Sequence, residues 1–235
     1  THYSYSWLEN ESNRFAGYLR YKLGIDQKSM VMVQLPRSQY LQVVLFGILK
    51  NSCAYIPISI DEPASRIDFI KEGCGSNILI TTNIVQDFIE DIDIYPTITD
   101  LPDGKDLMYC LYTSGSTGQP KGCLLEHHSL FNRLNWMQNA YSLEPNDIIL
   151  QKTPYTFDVS VWELFWWLMY GAKICVLDHD AEKDPEAIVN TVYNNKVTVL
   201  HFVPSMLTVF LEFLESSPES IIKLKSIKQI FTSGE

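Results

Sequence analysis

The sequence predicts an α/β protein of stacked βα subdomains, with largely parallel sheets covered by helices. Short β-rich runs alternate with longer helical patterns from one end of the chain to the other. The strand candidates are near-continuously apolar, as strands covered on both faces must be. A stretch rich in glycine and hydroxyl residues, TSGSTGQPKG at Thr113 to Gly122, leaves the end of one of these strands, where open α/β sheets gather their ligands.

Taken in order, VMVQL at Val31 to Leu35 is a strand, YLQVVLFGILK a helix and AYIPIS a second extended run. PASRIDFIKEG follows as helix and NILITT at Asn77 to Thr82 as strand. Asp103-Gly104 is a turn between an acidic segment, Asp87 to Asp100, and the strand LMYCLYT, which marks residues 101–106 as a candidate subdomain seam. Beyond the loop, DIILQK, AKICVLD, VTVLHFV and IKQIFTS are strands. The helices SLFNRLNWMQNAY, SVWELFWWLMYG, DPEAIVNTVYNN and SMLTVFLEFLESS accompany them.

With 235 residues and 46% hydrophobic content, the chain can bury one large core or two modest ones. Lys and Arg total 18 against 28 Asp and Glu, and the net charge of −10 argues against nucleic acid or an anionic membrane as partner. The longest apolar stretch, Val159 to Tyr170, is interrupted by Glu163 and falls short of the roughly 20 residues of a membrane span, so it reads as a core helix. Five cysteines, odd in number and mostly in apolar runs, fit reduced thiols in a cytoplasmic protein better than disulfides or a metal site. No targeting segment is expected at the N-terminus.

The loop has the chemistry of a polyphosphate cradle. Gly115, Gly118 and Gly122 let backbone N–H groups approach an anion, Thr113, Ser114, Ser116 and Thr117 add hydroxyl donors, and Lys121 adds a positive charge. A Walker loop would need lysine directly after the second glycine, but Gln119 and Pro120 intervene, which disfavours a P-loop kinase. Composition alone also allows a plain surface loop.

The arrangement YTSGSTGQPKG resembles the phosphate-binding signature of the adenylate-forming superfamily, which includes acyl-CoA synthetases, luciferases and the adenylation domains of nonribosomal peptide synthetases. YSYSWLENESNRFAGYL, LKNSCAYIPISIDEPASRI and FDVSVWE are similar to further motifs of that family in order and spacing, so the likeness covers essentially the whole chain. Ser52 and Cys53 depart from it where glycine is common. The resemblance implies that residues Thr113 to Lys121 hold the β- and γ-phosphates of ATP, with Mg²⁺ bridging phosphate oxygens, and that His127 rather than His128 is the histidine following the loop. Thr113, Lys121 and His127 are thereby the expected catalytic residues.

Within the family, FDVSVWE separates the branches. A buried carboxylate must be paired to stay charged, and a substrate ammonium is a fitting partner. The resemblance gives Asp158 that role, as in amino-acid-activating members; Asp158 or Ser160 could otherwise cap the following helix. Carried over residue by residue, Asp158, Val159, Trp162, His201, Phe231 and Ser233 line the substrate pocket, and their string resembles the pattern associated with L-serine activation. Val159, Trp162 and Phe231 would wall a small cavity, while His201 and Ser233 would hold a short side-chain hydroxyl; threonine would meet similar requirements. Singly, His201 reads as a core histidine, Trp162 with Trp166 and Trp167 as helix packing, and Ser233 before Gly234 as turn chemistry. Tyr155 reads equally as cleft lining or core.

The implied reaction is attack of an amino acid carboxylate on ATP to give aminoacyl-AMP and pyrophosphate, followed by transfer to phosphopantetheine on a partner carrier domain among other synthetase modules. By the same likeness the chain is the larger part of an N-terminal core domain, ending at Ser233-Gly234-Glu235 before the remaining motifs and the small lid domain, and weakly active or inactive alone. An acyl- or aryl-acid CoA ligase of the same superfamily, or a noncatalytic nucleotide-binding module, are the alternatives.

Overall fold

The computed structural model describes residues 1–114 and 120–234. They belong to two compact units, Thr1–Arg133 and Leu134–Glu235.

In the first unit, α1 (Tyr5–Gly17) begins where the Ser4 hydroxyl accepts the Trp7 N–H at 3.0 Å, and continues into a π-turn at Tyr18–Lys22. Strand β1 (Met30–Val33) leads to α2 (Gln39–Lys50), capped by Ser38, whose hydroxyl accepts from Leu41 N–H at 3.2 Å. The two helices approach so closely that a Cβ at Gly47 would stand 2.7 Å from Phe15 Cδ1 and 3.1 Å from the Ser12 carbonyl, which only glycine avoids. Then come β2 (Ala54–Pro57), α3 (Ala64–Cys74), β3 (Leu79–Ile80), α4 (Thr82–Glu90), β4 (Leu107–Ser114) and β5 (Pro120–Glu126). The sheet order is β3-β1-β2-β4-β5, parallel throughout except for the antiparallel pair β4 and β5. Met32, Ile56, Ile58, Ile70 and Cys110 bury a core between this sheet and α3.

Two expectations change here. The distal arm of the loop, PKGCLLE, is a strand folded back on β4, so an antiparallel edge joins the parallel sheet. The run NILITT keeps only Leu79 and Ile80 as strand, because Thr82 opens α4, which buries Val85 and Phe88 one turn apart. The two units meet in sequence at Arg133/Leu134, and residues 101–106 lead into β4, which pairs with β2 in the same sheet.

Helix α5 (His127–Tyr141) runs across that division. The second unit continues with β6 (Ile148–Gln151), α6 (Ser160–Met169), β7 (Lys173–Val176), α7 (Pro185–Asn195), β8 (Val199–Phe202), α8 (Pro204–Ser216) and β9 (Gln229–Thr232). Its sheet, β7-β6-β8-β9, is wholly parallel as the apolar strands predict. Asp184 caps α7 by accepting from Glu186 N–H at 2.9 Å and Ala187 N–H at 3.2 Å, with Pro185 in the first turn. Leu150, Leu200 and Phe202 from the strands pack with Ile188, Val189, Val192 and Phe210 from the helices. None of the five cysteines forms a disulfide, and no helix of the described residues is long and apolar enough to cross a membrane.

Candidate functional site

In the second unit, parallel strands bring their carboxyl ends to one edge, the place where such sheets present ligand-binding loops. His201 and Phe231 are register partners on β8 and β9, and Ser233 follows β9 directly. The His201 Nε2 lies 2.9 Å from Ser233 Oγ. Trp162, in the first turn of α6, meets the His201 ring edge-on at 5.9 Å between centroids and Phe231 at 5.2 Å. Trp166, one helical turn further, and Tyr141 complete an aromatic wall around Phe231 at 6.1 and 4.8 Å. Trp162, His201, Phe231 and Ser233, spread over 72 positions of sequence, are thus one cluster.

Val159 is half-buried at the start of α6, and Asp158 precedes it. Asp158 is exposed, not buried as expected, because it stands in the turn ahead of the helix, where only its carbonyl is engaged, accepting from Val161 N–H at 3.2 Å. It does not cap the helix: α6 has no side-chain cap, and the Ser160 hydroxyl is spent on the Phe157 carbonyl at 2.6 Å. Among the described residues the Asp158 carboxylate has no side-chain partner. Tyr155 is buried.

Behind the cluster stands a group that pattern reading passes over. Glu163, which interrupts the apolar helix, is fully buried, and its Oε2 accepts from the Lys152 and Thr153 N–H groups at 3.0 and 2.9 Å. Its Oε1 accepts from the Thr153 hydroxyl at 2.6 Å, and that hydroxyl lies 3.2 Å from His201 Nδ1. Lys152, also buried, sets its ammonium 4.4 Å from the centre of the Phe202 ring. Burial pushes the Glu163 carboxyl up, against the pull of Thr153 and of the Lys152 charge. Burial first, and the Lys152 charge second, hold His201 down to about 4, so although its Nδ1 is 3.8 Å from Glu163 Oε1 the imidazole is neutral at neutral pH and the two are not an ion pair. A carboxylate in the middle of SVWELFWWLM is the available signal, since a buried acid must find donors.

In the first unit, Thr113 and Lys121 face each other across β4 and β5, one pair before the hairpin's last partners, Ser114 and Pro120. Both side chains are exposed. Gly115, Ser116, Thr117 and Gly118 lie outside the described residues, as does the side chain of Ser114. His127 opens α5 with its backbone N–H on the Asp106 carbonyl at 3.1 Å and its Nε2 buried without a partner among the described residues. Burial lowers its pKa against the pull of the Asp106 charge. His128, by contrast, is committed, with Nδ1 3.0 Å from Glu126 and 3.1 Å from the Gly104 carbonyl. Among the described residues no cluster of three or more His, Cys, Asp or Glu is arranged to hold a metal ion.

A model of the AMP-binding enzyme family matches residues 1–235. Zwittermicin A synthase ZmaJ of Bacillus cereus is 44% identical over 246 residues, covering 99% of this chain and 46% of that protein. Phosphinothricin tripeptide synthetase PhsB of Streptomyces viridochromogenes is 36% identical over 249 residues, covering 99% of this chain and 20% of its own length. The chain therefore spans less than half of either relative. Among solved structures, the nonribosomal peptide synthetase FmoA3 superposes with a TM-score of 0.88 at 24% identity, over 99% of this chain and 26% of that one, a likeness of fold. The chain belongs to the AMP-binding enzyme family, within the adenylate-forming superfamily that its loop and helix motifs resemble.

Proposed function

We propose that the protein carrying this chain activates an amino acid, serine before others, as aminoacyl-AMP at the expense of ATP, and passes it to phosphopantetheine on a carrier domain of a nonribosomal peptide synthetase. The observation that carries the reading is the convergence of Trp162, His201, Phe231 and Ser233 at the carboxyl edge of the second sheet. Family membership, and relatives that include a tripeptide synthetase, support it.

In this reading the exposed carboxylate of Asp158 grips the substrate ammonium, supplying opposite charge and acceptors for its three donors. Val159, Trp162 and Phe231 bound the side-chain space, and His201 with Ser233 holds a short hydroxyl by a hydrogen bond that alanine cannot make. Residues Thr113 to Lys121, with the ammonium of Lys121 and the hydroxyls of Thr113, Ser114, Ser116 and Thr117, hold the triphosphate, and the Nε2 of His127, without a partner among the described residues, fits a role beside it. When bound, ATP with its Mg²⁺ supplies the phosphorus that the substrate carboxylate attacks. The chain's own contribution is positioning and neutralisation of charge.

The test is amino-acid-dependent exchange of pyrophosphate into ATP by the full-length protein. Serine is expected to support the fastest exchange, threonine less, and alanine least of the three; absence of exchange with all amino acids would remove the reading.

A further inference from the structure

The polar chain behind the pocket has a direction, and the direction decides what the pocket can recognise. Glu163 Oε2 already accepts two backbone N–H groups, and its Oε1 is 2.6 Å from the Thr153 hydroxyl, the length of a charge-assisted O–H···O⁻ bond. The Lys152 charge pulls that carboxyl toward its ionised form. Thr153 therefore spends its single hydrogen on Glu163 and has only lone pairs left for His201 Nδ1, 3.2 Å away. A neutral imidazole that donates from Nδ1 must accept at Nε2, and the donor within reach there is the Ser233 hydroxyl, whose Oγ is at 2.9 Å, with the Ser233 backbone also against the ring.

We infer that Glu163, acting through Thr153, fixes His201 as the Nδ1–H tautomer, so that Ser233 turns its hydrogen inward and presents only acceptor lone pairs to the ligand. The ligand group that fits is a side-chain hydroxyl acting as donor. Glu163 and Thr153 are positioning residues: neither faces the ligand, and both act through the ring of His201. This inference rests on the pocket proposed above, although the tautomer itself does not depend on which amino acid binds.

Replacing Glu163 by glutamine reverses the relay. The two backbone N–H groups require the amide oxygen at the Oε2 position, which puts the NH₂ against Thr153, turns the Thr153 hydrogen toward Nδ1 and leaves His201 protonated at Nε2. The experiment is ¹⁵N NMR of the histidine-labelled full-length protein, with His201 assigned by its loss in His201→Gln. Wild type is expected to show a protonated Nδ1 and a bare Nε2, and Glu163→Gln the opposite. Thr153→Val should leave a mixed ring, and Thr153→Ser should restore the wild-type pattern. In exchange assays Glu163→Gln should lower kcat/KM for serine roughly tenfold, as expected for one mismatched buried hydrogen bond, with KM for ATP unchanged. The wild-type spectrum alone decides, whatever the stability of the variants: an Nε2-protonated or doubly protonated His201 overturns the inference. A wild-type Nδ1–H ring indifferent to serine would support the relay and remove the serine reading, and an Nε2–H ring that responds to serine would do the reverse.

Discussion

The cluster of the second unit and the hairpin of the first, the two sites of the proposed function, arrange polar residues in two different ways. In the cluster, Glu163, Thr153 and His201 are buried and joined in one chain of contacts beside aromatic rings, which ends on the exposed Ser233. In the hairpin, Thr113 and Lys121 face each other on the surface. A side chain of one or two carbons can be told from its neighbours only by groups held in place before it arrives, which requires burial and saturation of hydrogen bonds. A polyphosphate carries its own charge and geometry, and backbone donors with one cation suffice to hold it. The contrast predicts that substitutions in the cluster disturb fold and specificity together, while those at exposed positions change function with the fold intact.

The largest effect is expected from Glu163→Ala. It strips three donors of their acceptor in a buried setting, so unfolding in urea should report a loss of about 3–5 kcal/mol. A second test uses pH. Burial holds His201 from its usual 6.5 down to about 4, so in that window the unfolded chain binds more protons than the folded one, and stability rises with pH between 4 and 6.5 and levels above it. The share of His201 is up to about 3 kcal/mol. Glu163, raised by burial, titrates with the opposite sign, so the His201 share is the part of the pH dependence that disappears in His201→Gln, measured by unfolding across the range.

Asp158→Ala sharpens the contrast from the other side. Loss of one charged hydrogen-bonding partner predicts a drop of roughly ten- to a hundredfold in serine-dependent exchange. Because Asp158 is exposed, stability should stay within about 0.5 kcal/mol of wild type. Lys121→Ala should give the smallest effect, a rise of about tenfold or less in KM for ATP with no change in unfolding or in preference among amino acids.

Much of this is legible in sequence because it depends on period and order. The apolar runs at Val31, Leu107, Ile148, Val199 and Ile230 are strands because strands covered on both faces carry little polarity. The cluster residues Trp162, His201, Phe231 and Ser233 are found through a resemblance of motifs, and no periodicity would join them. What escapes depends on partners distant in sequence. PKGCLLE is a strand because β4 offers it an antiparallel edge, and its own composition reads as loop. Thr82 opens a helix because Val85 and Phe88 find a core to bury against. In sequence Glu163 is an interruption in an apolar helix, whereas the Lys152 and Thr153 amides and the Thr153 hydroxyl make it the centre of a buried network. The expectation of a buried Asp158 fails because the turn ahead of α6 leaves it open.

In the proposed function a carboxylate at the head of α6 selects substrates by their ammonium group while the pocket beyond reads a hydroxyl. The most direct measurement compares pyrophosphate exchange by the full-length protein with serine and with 3-hydroxypropionate, which keeps the hydroxyl and the reacting carboxylate and lacks only the amine. Exchange with serine and none above background with 3-hydroxypropionate is the predicted result; equal exchange with the two would contradict it.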